Sequence, residues 1–300
     1  MEAKDADTAQ PRVRLLPKIG RREGERGSIR TRSADDGRMT EIRVSDWNEL
    51  NEELYGNSFN PVIGRIRSTY AFRGVSSADY RLTTSLSRLG GAFAAMEQHL
   101  LRNFRKYARR GDVQTDSVWN WLAVAQHHGL PTRLLDWTFS PQVAMHFATA
   151  RLREFERDAV IWAVDFVNAH ALLPKPLREE MQSEAADVFT VEMLTRRAPS
   201  LEEFDGLDEE PFVVFFEPPS LDDRIVNQFA LFSVMSSPEA HLEEWLVSHP
   251  ELVRRIVIPA ELKWEVRDKL DQANVTERVL FPGLDGLSAW LKRYYSPRSP

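Results

Sequence analysis

The sequence predicts an α+β fold. Two observations carry this: β-prone and helical segments are mixed without a regular βαβ rhythm, and no repeat or low-complexity linker divides residues 40 to 295. A chain of 300 residues with 42% hydrophobic content also has enough apolar surface for a substantial core. Residues 39–296 therefore read as one domain. Residues 1–38 are poor in apolar side chains and carry Arg12, Arg14, Lys18, Arg21, Arg22, Arg26, Arg30 and Arg32 among Gly, Ser, Asp and Glu, the pattern of a disordered basic arm. Such an arm is either a solvated tail or an electrostatic contact for nucleic acid or another acidic partner.

Order begins at TEIRV, a short strand, after which Ser45 stands as N-cap of a helix with Trp47, Leu50 and Leu54 at helical spacing. RIRSTYAFRG (65–74) alternates as a strand, with Ile66, Tyr70 and Phe72 on one face and Gly74 closing it. VSSAD is a turn, and YRLTTSLSR a second polar, β-prone segment. In AFAAMEQHLLRNFRKYARR, Phe93, Met96, Leu100 and Phe104 form the apolar stripe of a core-packing helix. Ser117 caps VWNWLAVAQHH, which Gly129 and Pro131 stop. Ser140 and Pro141 start a further helix through VAMHFATARL, so QHHGLPTRLLDWTFSP reads as the junction between two buried helices.

Downstream, AVIWAVDF (159–166) and PFVVFFEPP (211–219) are internal strands. The acidic stretch between them, 168 to 210, is expected to be irregular apart from a helix around EAADVFTVEML. RIVNQFALFSV is a turn or short helix leading into a strand, RRIVIP a strand, and AELKWEVRDKLDQAN and DGLSAWLKRYY are helices.

Composition excludes several classes. No cysteine is present, so disulfides and thiolate metal sites are excluded and a reducing, cytoplasmic setting is the natural reading. No apolar run approaches the about eighteen residues that span a bilayer, and MEAKDADTAQ lacks a signal-peptide core, so no membrane partner is expected. A net charge of −6 argues against a chain built throughout to coat nucleic acid. The phosphate loop, the GxGxxG turn, the GxSxG elbow and HExxH are absent. No metal is expected either, because adjacent His127 and His128 diverge by about 100° on a helix and cannot easily share an ion.

A few polar residues stand out against this apolar pattern. Arg73, at the end of an apolar strand and before Gly74, can leave the sheet to hold a phosphate or carboxylate, or can form a structural salt bridge. Thr83, Thr84 and Ser85 are a hydroxyl cluster of the kind that satisfies turn backbone. Asp136, between Leu135 and Trp137, is expected to be at least partly buried and to need a cation or donors, with Arg133, Thr138 and the amides after Pro141 in reach. It is either functional or a bracing cap. Of His127 and His128, one reads as a core or C-cap histidine and the other as facing a pocket.

AFRG at 71–74, QHHGLPTRLLDWTFSPQVAMHFA at 126–148, RIVNQFALFSV at 224–234 and LFPGLDGLSAWLK at 280–292 together resemble the signature blocks of the FRG-domain family, named for its Phe-Arg-Gly motif. That family remotely resembles the ADP-ribosyltransferases, which implies split mixed or antiparallel sheets with packed helices and a cleft for NAD, used as substrate. Members occur in bacteria and often look like toxin or anti-phage components. The resemblance implies an enzyme that cleaves NAD and transfers ADP-ribose to a protein or nucleic acid, the basic arm suiting the latter, with no particular oligomeric state. By position it implies that Arg73 and Gly74 hold the nucleotide, that Thr84 or Ser85 lines the pocket with His127 or His128, and that Asp136 and Gln228 serve the chemistry.

Gln228 falls where that superfamily carries a glutamate, and other FRG domains tend to share the glutamine. An amide can hydrogen-bond the ribose but supplies neither charge nor basicity, a difference of roughly 3 kcal/mol at a developing cation. Either Asp136, Asp223 or Glu217 substitutes, or the domain is a non-catalytic nucleotide- or nucleic-acid-binding module.

Overall fold

The computed structural model describes residues 39–298 except 57, 62, 110–112 and 114. The expectation of a disordered arm over residues 1–38 lies outside the described residues. The described residues form one compact unit.

The described strands are β1 (Thr40–Arg43), β2 (Phe59–Asn60), β3 (Arg65–Ile66), β4 (Tyr70–Val75), β5 (Leu134–Thr138), β6 (Ala159–Asp165), β7 (Phe189–Thr190), β8 (Val213–Glu217), β9 (Ala230–Met235) and β10 (Val253–Ile258). Eight of them form one mixed sheet in the order β1-β10-β6-β4-β5-β9-β8-β7, and β2 and β3 pair separately. With its packed helices this is an α+β architecture. The β1–β10 and β7–β8 pairs are parallel and the others antiparallel.

The sheet is continuous rather than two separate sheets, but only just. β4 pairs β6 over six residue pairs and β5 pairs β9 over five, whereas β4 meets β5 at the single pair Phe72–Thr138. Two four-stranded halves therefore join at one point.

Period-2 alternation fills both faces of the sheet. On β6, Val160, Trp162 and Val164 join one apolar cluster while Ala159, Ile161 and Ala163 join another. Helices Trp47–Tyr55, Pro141–Ala148 and Lys263–Gln272 cover the second of these. Helix Val118–His127 packs its Trp119, Leu122 and Ala123 against the inner residues of β8 and β9. Fully buried Phe72 contributes about 1.5–3 kcal/mol of transfer free energy at the junction.

Gly74 has a packing reason. A Cβ there would stand 1.8 Å from the carbonyl oxygen of Ala144, so the absent side chain lets helix Pro141–Ala148 lie directly on β4.

Several local expectations are corrected. Asp46, not Ser45, caps the first helix, accepting from the amides of Asn48 and Glu49. Residues 65–74 hold two strands rather than one, and YRLTTSLSR is irregular, with a turn leading into a short 3-10 helix, instead of a strand. In helix Phe93–Tyr107 the buried residues are Glu97 and Leu101, while Met96 is exposed. The junction between helices Val118–His127 and Pro141–Ala148 stands as expected, but its LLDWT is an unanticipated strand, β5. The stretch from 168 to 210 is largely helical, with helices Lys175–Glu184, Val191–Arg197 and Leu201–Asp205.

Candidate functional site

Where β4 and β5 diverge beyond Phe72 and Thr138, a cleft of about 710 Å³ opens. Strand β4 supplies Arg73 and Gly74, β5 supplies Asp136 and Trp137, helix Val118–His127 supplies Gln126 and His127, and the turn before β9 supplies Gln228.

Arg73 spans the gap between the two strands. Its Nη1 donates to the backbone carbonyl of Asp136, replacing a ladder bond that the diverging strands cannot form, and lies 3.9 Å from that residue's carboxylate. Its Nε is buried with no partner. Burial pushes the guanidinium below its usual pKa, against the pull of Asp136, and neighbouring Arg88 adds to the downward push.

Asp136 is not partly buried as expected: its side chain is 62% exposed. Strand alternation explains this, because Leu135 and Trp137 point into the core and Asp136 to the opposite side. Its carboxylate accepts from Gln126 Nε2 at 3.0 Å, and the Gln126 carbonyl accepts from Thr132 Oγ1, which fixes the orientation of the amide. Arg133, expected as a partner, points away to Glu97 and Asp205. Trp137 lies below, its indole donating to Ser233 Oγ at 2.8 Å and its ring edge-on to Phe215.

Gln228 follows helix Asp223–Asn227 as its C-cap. Its backbone carbonyl accepts from Thr138 Oγ1 at 2.7 Å, and its side-chain nitrogen donates to the carbonyl of Leu280 at 2.8 Å. The next residue, Phe229, adopts φ of 47°, a left-handed turn that swings the chain into β9. Arg73, Gly74, His127, Asp136 and Gln228 thus line one cleft.

Three other candidates do not line it. Thr84 accepts from the Ser87 amide, and Ser85 exchanges hydrogen bonds with Thr132, so both hydroxyls serve turn backbone while Thr83 lines the cleft. His128 is the exposed C-cap of helix Val118–His127. Of the proposed substitute acids, only Asp136 is in the lining; Glu217 ends β8, and Asp223 opens the helix whose Arg224 and Ile225 do line the cleft.

Residues not anticipated from sequence set the charge of the cleft. Arg81, Arg88, Arg151 and Arg224 join Arg73, against only Asp79 and Asp136 in the lining. Arg81 answers Glu243 and Glu244, and Arg224 stacks over Phe281. Arg224 lies inside the RIVNQF block, so that motif was a signal; Arg88 and Arg151 carry none. Among the described residues no group of three His, Cys, Asp or Glu is placed to hold a metal ion, and no helix is long and apolar enough to cross a membrane.

The cleft is basic and partly aromatic and lies where the two halves of the mixed sheet meet. Residues 68–157 match the family model of the FRG domain. That match takes in AFRG and QHHGLPTRLLDWTFSPQVAMHFA, whereas the blocks at 224–234 and 280–292 lie beyond it, although Gln228 and Arg224 line the same cleft. No curated protein and no solved structure matches the chain.

Proposed function

We propose that this protein is an ADP-ribosyltransferase-like enzyme: it takes NAD into the cleft between β4 and β5, cleaves the bond from ribose to nicotinamide, and transfers ADP-ribose to a protein or nucleic acid. The observation that supports this most is the charge of the cleft, five arginines against two aspartates, with a buried, unpartnered guanidinium nitrogen on Arg73. A diphosphate flanked by two ribosides satisfies such a site by charge and by size, since ligand pockets run from about 300 to 1,000 Å³. The near-split of the sheet at Phe72–Thr138 also suits the two-sheet cleft of that superfamily.

In this reading Arg73 holds the diphosphate or the nicotinamide-side ribose. As nicotinamide leaves, positive charge develops on the ribose, and the exposed carboxylate of Asp136 supplies the negative field that Gln228 cannot. The basic residues between Arg12 and Arg32 suit a nucleic acid acceptor.

A second reading, a nucleotide-binding module without turnover, is favoured by one observation: Gln228 is uncharged and its amide nitrogen is committed to Leu280. Incubation of the purified protein with nicotinamide-labelled NAD, with and without cell extract, separates the two. Release of labelled nicotinamide supports the enzyme. Calorimetric binding of ADP-ribose without release supports the module, and neither heat nor release ends both.

A further inference from the structure

His127 and Asp222 form a polar pair that the scheme above leaves without a task. They lie on elements far apart in sequence, His127 at the end of helix Val118–His127 and Asp222 at the N-cap of helix Asp223–Asn227. Yet His127 Nε2 and Asp222 Oδ2 are 2.8 Å apart.

Asp222 is held from two sides, because its Oδ1 also accepts from the Ile225 amide at 3.1 Å. Burial works against its charge, but that amide and His127 together keep the carboxylate below its ordinary pKa. An ionised carboxylate only accepts, so Nε2 carries the proton and the lone pair resides on Nδ1. Nδ1 has no hydrogen bond among the described residues, and the His127 side chain, 12% exposed, lines the cleft. The other titratable neighbours of the ring are His128, edge-on at 5.2 Å, and the charged lining of the cleft, in which Arg224 sits two residues after Asp222. Gln228, at the opposite end of the same short helix, has no proton-accepting group at neutral pH.

We infer that His127, oriented by Asp222, is the general base of the cleft, an inference that rests on the NAD-cleaving reading. The acceptor's hydroxyl oxygen forms a bond to C1′ of the ribose as the bond from C1′ to the nicotinamide nitrogen breaks. The electron pair of that bond leaves with nicotinamide, which becomes neutral. The hydroxyl proton passes to His127 Nδ1 and then to water, while Asp222 stabilises the transient imidazolium. Asp222 is the positioning residue and His127 the catalytic one.

The test compares wild type, His127→Gln and Asp222→Asn, the last retaining an N-cap side chain. Nicotinamide release from NAD is measured across pH, and ADP-ribose binding by calorimetry. Loss of His127 is expected to lower kcat by about 100-fold or more with ADP-ribose affinity unchanged, and to remove the acidic limb of the kcat/KM profile. Asp222→Asn is expected to lower kcat with ADP-ribose affinity unchanged, because the carboxylate that orients the ring through Nε2 is gone. A His127→Gln protein with wild-type kcat and an unmoved limb overturns the inference while leaving the enzyme reading intact. Absence of release from every protein, wild type included, overturns both. Should His127→Gln fail to fold by circular dichroism, Asp222→Asn decides alone: a lowered kcat with ADP-ribose affinity unchanged supports the inference, and a wild-type kcat overturns it.

Discussion

Arg73 and Arg133 occupy the two ends of the β5 neighbourhood and show opposite ways of housing a guanidinium. Arg133 is 4% exposed and saturated: its Nε and Nη2 engage Glu97, and its Nη1 engages Asp205 at 2.5 Å. Burial opposes its charge, yet those hydrogen bonds outweigh it and hold the pKa above the ordinary value. Arg73 has one backbone carbonyl, a carboxylate at 3.9 Å and an idle Nε, and its pKa is pushed down. The first arrangement fastens helix Phe93–Tyr107 and helix Leu201–Asp205 to the sheet. The second leaves capacity for something from outside. Satisfaction of donors, more than burial, separates a brace from a binding group.

The largest expected effect tests the braced side. Arg133→Ala strands Glu97, buried with 3% exposure, without its cation, and should destabilise the fold by about 3–5 kcal/mol in chemical denaturation. An effect below about 1 kcal/mol would dissolve the contrast.

Next comes acid. His146 accepts from Arg267 at Nδ1 and is pushed down to about 3 by burial and then by Arg267. His170 donates from Nδ1 to the Asp187 carbonyl, accepts at Nε2 from the Phe215 amide, and is pushed down to about 4 by burial. Both folded values lie below the unfolded one of about 6.5, so the unfolded chain takes up protons first. The stability is complete above that unfolded value and is lost as pH falls toward the folded ones. At pH 5.5 the pair should have lost roughly 3 kcal/mol relative to neutral pH, read from denaturant midpoints. A flat profile from neutrality to pH 5.5 would show that these rings are not held neutral.

The smallest stability effect belongs to the cleft. Arg73→Ala removes a poorly satisfied charge, so stability should change by less than about 1 kcal/mol, while ADP-ribose affinity falls at least about tenfold by calorimetry. Heavy destabilisation with affinity intact would make Arg73 a brace like Arg133.

Much of the scaffold was legible. The Ser117 cap, the Ser140-Pro141 start, and the β6 and β8 runs depend on local chemistry, and they stand as expected. Strand β5 was hidden because LLDWT owes its extended form to pairing with Ala230–Val234 on β9, about a hundred residues away. Helix Phe93–Tyr107 was oriented by its apolar stripe, but the buried Glu97 ion pair to Arg133 set the face instead. The short helices between 168 and 210 escaped notice because tertiary packing, not propensity, holds helices of five to ten residues. At the site, AFRG and RIVNQF marked Arg73 and Gln228, whereas the basic lining is assembled from segments that only the topology brings together.

The single Phe72–Thr138 pair has a mechanical consequence. Each half-sheet has its own longer ladders, so a relative twist of the halves would strain the structure least at that one crossing, where helix Pro141–Ala148 lies on β4. Such a twist would change the width of the cleft mouth while leaving the ladders within each half intact.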